Sequence, residues 1–155
     1  MARTPVPYHH GALRQALIDA TEALLAEKGA DGFSLREQGI EYVRYAMDHP
    51  GRFRLMFRSG QLHKDAALEH QGTAAFDVLA RGVRRVFGVE DAASMTPEHW
   101  NAVTALWALV HGYAHLAIAG KLDPLCHGQG LKTFVAGSLG PILTAMIAGL
   151  TRDAR

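Results

Sequence analysis

His111 and His115 stand four residues apart, the spacing that sets two imidazoles on one face of a helix, as zinc ligands require. The intervening Gly112-Tyr113-Ala114 holds no acid. The pair is therefore not the metalloprotease motif, which needs a glutamate between its histidines as base. A third ligand would have to come from His127 or elsewhere. The plainer use of His111 is as a hydrogen-bonded pocket or core histidine, and on that reading no metal and no cofactor is expected. Cys126 next to His127 suggests a thiol activated by a base, but adjacent side chains rarely face each other and a lone loop cysteine is usually unreactive. There is no Gly-x-Ser-x-Gly elbow, no phosphate loop and no dinucleotide fingerprint. Gly128-Gln129-Gly130 precedes a helix but follows no strand, so it reads as a turn. No catalytic residue is assigned, and the chain is not expected to be an enzyme. A metal-dependent enzyme built on His111 and His115 stands as one alternative.

Around these histidines lies a set of aromatic and methionine side chains: Tyr42, Tyr45, Met47, Phe53, Met56, Phe57, Phe76, Trp107 and Tyr113. Each taken singly is more often core than site. As a group in a helical protein they can wall a cavity, combining apolar surface with a few polar handles.

The elements that must position them read almost entirely as helix. No stretch sustains period-two alternation with β-branched enrichment, so the expected class is all-α. A helix is predicted from His10 to Lys28, with Leu13, Ala16, Leu17, Ala20 and Leu24 on one face and Gly29 at its end. Ser34, with Glu37 three residues later, forms a capping box that starts a second helix, and Phe33 precedes it. From Gly39 an apolar stripe of Tyr42, Val43, Ala46 and Met47 runs to His49-Pro50-Gly51. A short helix is predicted over Arg52–Arg58, and Gly60 stops it. A long one follows, from about Lys64 to Phe87, closed by Gly88. Thr96-Pro97-Glu98 opens the strongest helix, whose face of Trp100, Val103, Leu106, Trp107, Val110, Tyr113 and Ala117 runs to Gly120. A last helix is expected over Leu131–Leu150, kinked or split at Gly140-Pro141.

Bulk properties set the frame. The chain has 155 residues, 48% hydrophobic and 20% charged, with a net charge of +1. That suits a soluble globular protein and argues against disorder. The single cysteine excludes an internal disulfide and favours a reducing, cytoplasmic setting. The first ten residues have no apolar core of the signal-peptide kind. The apolar stretch 102–119 is broken by His111 and His115 and barely reaches a bilayer's span, so no membrane association is expected. Residues 1–37 carry Arg3, Arg14, Lys28 and Arg36 against Asp19, Glu22, Glu27, Asp31 and Glu37. A nucleic-acid-binding head normally carries a basic patch, and this segment does not.

The opening nevertheless resembles the start of a TetR-family transcriptional regulator. The similarity lies in Tyr8-His-His-Gly-Ala-Leu-Arg14, the helical pattern over 12–25, and Gly29-Ala-Asp-Gly-Phe-Ser-Leu-Arg36. Farther on, 41–57 and the Trp107-Ala-Leu-Val-His-Gly112 string resemble the Trp-His-Gly ligand-binding domain found in one branch of that family. The resemblance implies a helical bundle with a partial DNA-binding head over 1–37 and a ligand-binding and dimerisation domain over 38–155. After Glu37 the family continues with the rest of helix two, a tight turn, the recognition helix and most of a connecting helix. None of these is present here. Either the gene carries a deletion or a segment is missing between Glu37 and Gln38. Because a deletion would expose Leu13, Leu17 and Leu24, the second reading is favoured.

What the resemblance implies is a ligand-responsive DNA-binding regulator, a repressor released from a palindromic operator by a small-molecule effector. Ser34 and Arg36 would contact DNA. Met47, Phe57, Trp107, His111 and Tyr113 would wall the ligand pocket. Ala136, Gly137, Leu139, Ile142, Leu143 and Met146 would form a homodimer interface, whose two-fold symmetry would match the operator. The other alternative is a headless helical dimer that binds a ligand or a protein but no DNA.

Overall fold

The computed structural model describes residues 34–57 and 66–153. The expected first helix, with Gly29 and Phe33, lies outside these residues, as do Arg58 and Gly60; the side chains of residues 55, 56 and 66–75 also lie outside the description. Among the described residues there are five α-helices and no strand: α1 Leu35–Asp48, α2 Pro50–Met56, α3 Ala66–Phe87, α4 Pro97–Ile118 and α5 Leu131–Asp153. Short 3-10 turns at Ala92–Ser94 and Asp123–Leu125 sit in the two long connections. The all-α expectation is what the chain adopts.

Ser34 starts α1 through the capping box that the sequence announces. Its hydroxyl accepts from the Glu37 amide at 3.2 Å, and the Glu37 carboxylate accepts from the Ser34 amide at 2.9 Å. The helix then runs without interruption through residues 37 and 38, whose amide at Gln38 reaches the Ser34 carbonyl at 3.0 Å. The cap of the family-like opening is thus used directly by the helix that carries Tyr42 and Val43. The boundary placed at 37/38 falls inside its first turn.

Helix α1 is the central element, packed on α4, α5, α2 and α3. Gly39 makes that possible: a β-carbon there would come within 2.8 Å of Leu143 Cδ1 and 3.1 Å of Val110 Cγ1. Val43 and Ala46, one turn and two turns on, are fully buried. They join Phe53, Val83, Val103, Leu106, Ala114, Leu139 and Leu143 in one core, and no charged side chain is buried among the described residues. Burial of this apolar surface is the main favourable term holding the helices together.

At the end of α4, Gly120 adopts φ +67°, and the Lys121 amide reaches back to the Leu116 carbonyl at 2.9 Å. Such a left-handed glycine stop closes the orphan carbonyls of the last turn. At its start, the Thr96 amide donates to His99 Nδ1 at 3.0 Å.

The last helix corrects one expectation. Pro141 does not split α5, which continues to Asp153. Proline removes the amide that would bond the Gly137 carbonyl, and both residues lie on the exposed side where water can satisfy that oxygen. Leu131–Arg152 is also the one helix among the described residues long and apolar enough to cross a membrane, with mean hydropathy 1.6 and only 22% of it buried. The stretch 102–119 that the sequence singles out does not meet that standard.

Candidate functional site

Helix α4 repeats a ring every four residues on one face: Trp107, His111 and His115. Spacing of this kind stacks side chains one turn apart along a helix. Tyr42 of α1 and Phe53 of α2 come up against the same strip, and Phe57 closes it from the turn after α2. The His111 ring lies 4.4 Å from Phe57, 4.6 Å from His115, 5.7 Å from Phe53 and 6.0 Å from Trp107, centroid to centroid. Phe76 of α3 meets Trp107 edge-on at 5.9 Å. Phe53 is the floor, 1% exposed, whereas Phe57 and Trp107 remain 37% and 41% exposed. The cluster therefore has a packed base and an open rim.

One short polar contact organises it. The Tyr42 hydroxyl and His111 Nδ1 are 2.9 Å apart. Burial pushes the Tyr42 hydroxyl up to about 12, partly opposed by the Trp107 indole N–H. The phenol is therefore protonated at every physiological pH. His111 is moved the other way, below its ordinary 6.5, by burial and then by the neighbouring His115. At neutral pH it is therefore an uncharged imidazole. A neutral histidine fixed by a tyrosine among aromatic walls can offer one directed hydrogen bond in apolar surroundings.

The residues expected to wall a pocket divide three ways. Phe57, Trp107 and His111 come together here. Tyr113 does not join them; two positions from His111, it points to the opposite side of α4, where it is buried and its hydroxyl meets Ser138 Oγ at 2.6 Å. Met47 lies apart as well, in a groove of about 210 Å³ between α1 and α5, beside Arg44, Asp48 and Lys132. Lys132 and Asp48 pair across that groove at 2.8 Å. Tyr42 and Phe53, named in the wider aromatic set, and His115, named as a possible metal ligand, belong to the cluster too. The four-residue spacing from Trp107 through His115 was the signal available for the last of these.

The expected interface residues also divide. Leu139 and Leu143 are each 1% exposed, spent on the internal core because their side of α5 faces α1. This corrects their assignment to a surface between chains. Ala136, Gly137 and Ile142 are exposed and Met146 is half-buried. At the chain's other expected contact, Ser34 is the cap of α1, and Arg36 Nε donates to the Gly140 carbonyl of α5 at 3.3 Å.

As for metal, no group of three ligating side chains occurs among the described residues. The Nδ1 atom of His111 is already taken by Tyr42.

The C-terminal domain of tetracycline repressor-like proteins matches this chain over residues 35–132, beginning with the first residue of α1 and covering α1 to α4. The chain belongs to that family. No curated protein and no solved structure matches it. Membership of the tetracycline repressor-like group suggests a ligand-responsive transcriptional regulator and points to a regulatory rather than an enzymatic protein. Within the matched region, α4 contributes both histidines and Trp107, and α1 contributes the tyrosine bonded to His111.

Proposed function

We propose that the chain is a homodimeric DNA-binding repressor of the tetracycline repressor-like type, released from a palindromic operator when a small molecule occupies the Trp107–His111 cluster. The observation that carries this reading is the open-rimmed ring cluster around a neutral, tyrosine-bonded His111, in a domain whose family senses ligands. Support for the dimer comes from α5, whose Gly137, Ile142, Ala145 and Ala148 form an exposed apolar side on a helix only 22% buried over its apolar window. Such a surface is covered in most soluble helical proteins. DNA contact is assigned to the segment before Ser34, because Ser34 and Arg36 already serve α1 and α5.

A second reading, the headless sensor, is favoured by the uninterrupted run of α1 through residues 37 and 38. Light scattering of the purified protein combined with selection from a random double-stranded DNA pool separates the two. A dimer that enriches a palindrome supports the repressor. A dimer that enriches nothing replaces it with the headless sensor, and a monomer in both assays removes the interface assigned to α5.

A further inference from the structure

Helix α4 begins with an unusual cap. Thr96 precedes Pro97, and His99 holds the third helical position, where a serine or threonine cap is ordinarily answered by glutamate or glutamine. The Thr96 amide reaches His99 Nδ1 at 3.0 Å, and the Thr96 hydroxyl lies 3.3 Å from the same atom. A backbone amide can only donate, so this bond exists only while Nδ1 carries a lone pair. The ring in this arrangement is neutral, with its proton on Nε2. A carboxylate or carboxamide in the same position keeps its acceptor in mild acid. An imidazole does not: a second proton turns Nδ1 into a donor facing another donor. The charged ring would also stand at the positive end of the helix dipole.

The cap secures more than one turn. Trp100, the next residue, donates its amide to the Thr96 carbonyl at 3.2 Å, and its indole lies parallel to the Phe76 ring of α3 at 6.4 Å. The His99 ring meets Phe87, the last residue of α3, edge-on at 5.0 Å. Both ring contacts join α4 to α3. The charged groups at this joint are Glu98 on α4, Arg84 and Arg85 in the last turn of α3, and Glu90 and Asp91 in the connection. Arg84 donates to the Glu90 carbonyl at 3.3 Å, and the Asp91 carboxylate accepts from the Ala93 amide at 3.2 Å. Glu98 lies within electrostatic reach of His99. Among the described residues, the hydrogen bonds at Nδ1 come from Thr96 alone.

From this geometry we infer that the start of α4 is a pH-sensitive catch: His99 holds the α3–α4 joint closed while its ring is neutral and releases the first turn of α4 when the ring is protonated.

The test uses the intact protein and two variants. His99→Gln keeps an acceptor in the same position at every pH, and His99→Leu has none. Hydrogen exchange of the first helix-bonded amides of α4, from Trp100 to Ala102, is measured at about pH 8 and about pH 5, values that bracket an ordinary histidine. Expressed as protection factors, the rates are free of the intrinsic effect of pH on exchange. At the higher pH the parent should match His99→Gln, with about fivefold more protection than His99→Leu, the factor that one helix cap supplies. At the lower pH it should fall to the level of His99→Leu or below, while the ratio between the two variants stays constant. Long-range proton–nitrogen spectra should show His99 as the Nε2–H tautomer at the higher pH. If His99→Leu does not fold, the ratio of parent to His99→Gln decides, falling from equality to about one-fifth between the two pH values. A parent that follows either variant at both pH values, or an Nδ1–H tautomer, overturns the inference.

Discussion

Two sides of one helix show how position alone divides similar residues between structure and recognition. On the inner side of α4, Val103, Leu106, Val110, Tyr113 and Ala117 are buried against α1 and α5. Tyr113 finishes its hydrogen bonding with Ser138. On the other side, Trp107, His111 and His115 carry polar atoms into an aromatic cluster that is closed at its floor and open at its rim. His111 and Tyr113 are two residues apart, yet one is spent on the fold and the other is held in readiness by Tyr42. A side chain whose every polar atom is satisfied within the chain contributes to stability. One that is oriented by a neighbour at an open rim is available to something else.

The sharpest way to break this comparison is truncation on each side. Leu106→Ala removes a side chain only 3% exposed and is expected to cost about 2–5 kcal/mol. Its neighbour Trp107→Ala, 41% exposed, should cost less than about half as much despite deleting far more atoms. Urea unfolding of the two variants measures both. Equal losses would mean that the ring cluster is ordinary core.

Much of this arrangement was legible in the sequence because it depends on local chemistry. The Ser34–Glu37 box, the Thr96-Pro97 start, and the glycines at 88 and 120 mark helix ends that the chain uses, since capping is decided within a few residues. Trp107 and His111 could be paired from their spacing. Tyr113 was misplaced in the same pocket although a two-residue step on a helix turns about 200°. What spacing cannot supply is how helices cross. Tyr42 becomes the partner of His111 only because Gly39 lets α1 approach α4 and α5 closely. The same crossing turns Leu139 and Leu143 inward and leaves Ile142 outside. Met47 likewise faces the α1–α5 groove rather than the rings.

A smaller effect separates the two tyrosines. Tyr42→Phe and Tyr113→Phe each delete one side-chain hydrogen bond, and each should lower stability by about 1 kcal/mol. Only Tyr42→Phe should alter binding of an aromatic probe, because only its partner faces the open rim. Parallel unfolding and fluorescence titrations read the two quantities independently. A Tyr113→Phe variant with impaired binding would show that the two sides of α4 are not separate. Gly112 offers a milder probe between them. Nothing lies within 4 Å of where its β-carbon would be, so Gly112→Ala should raise stability by about 0.5–1 kcal/mol through helix propensity. If the variant instead changes the oligomeric state read by light scattering, this third strip of α4 is an interface.

The slightest expected effect is on pH dependence, and it tests the charge state on which the comparison turns. His111 is held below 6.5 by burial and by His115, so in the window between its folded value and 6.5 the unfolded chain binds more protons than the folded one. Stability from this residue is therefore complete above the unfolded value and is lost as pH falls through 6.5 towards the folded value. Partial exposure of the ring keeps the loss modest. Urea midpoints measured from pH 8 to pH 5, as about the range that brackets an ordinary histidine, should fall more in the parent protein than in His111→Gln, which cannot titrate. Tyr42 stays protonated throughout and adds nothing to the slope. If the parent and His111→Gln curves superimpose, the imidazole is not held neutral by its surroundings. The outer side of α4 would then be ordinary solvated surface, and the contrast with the inner side would reduce to burial alone.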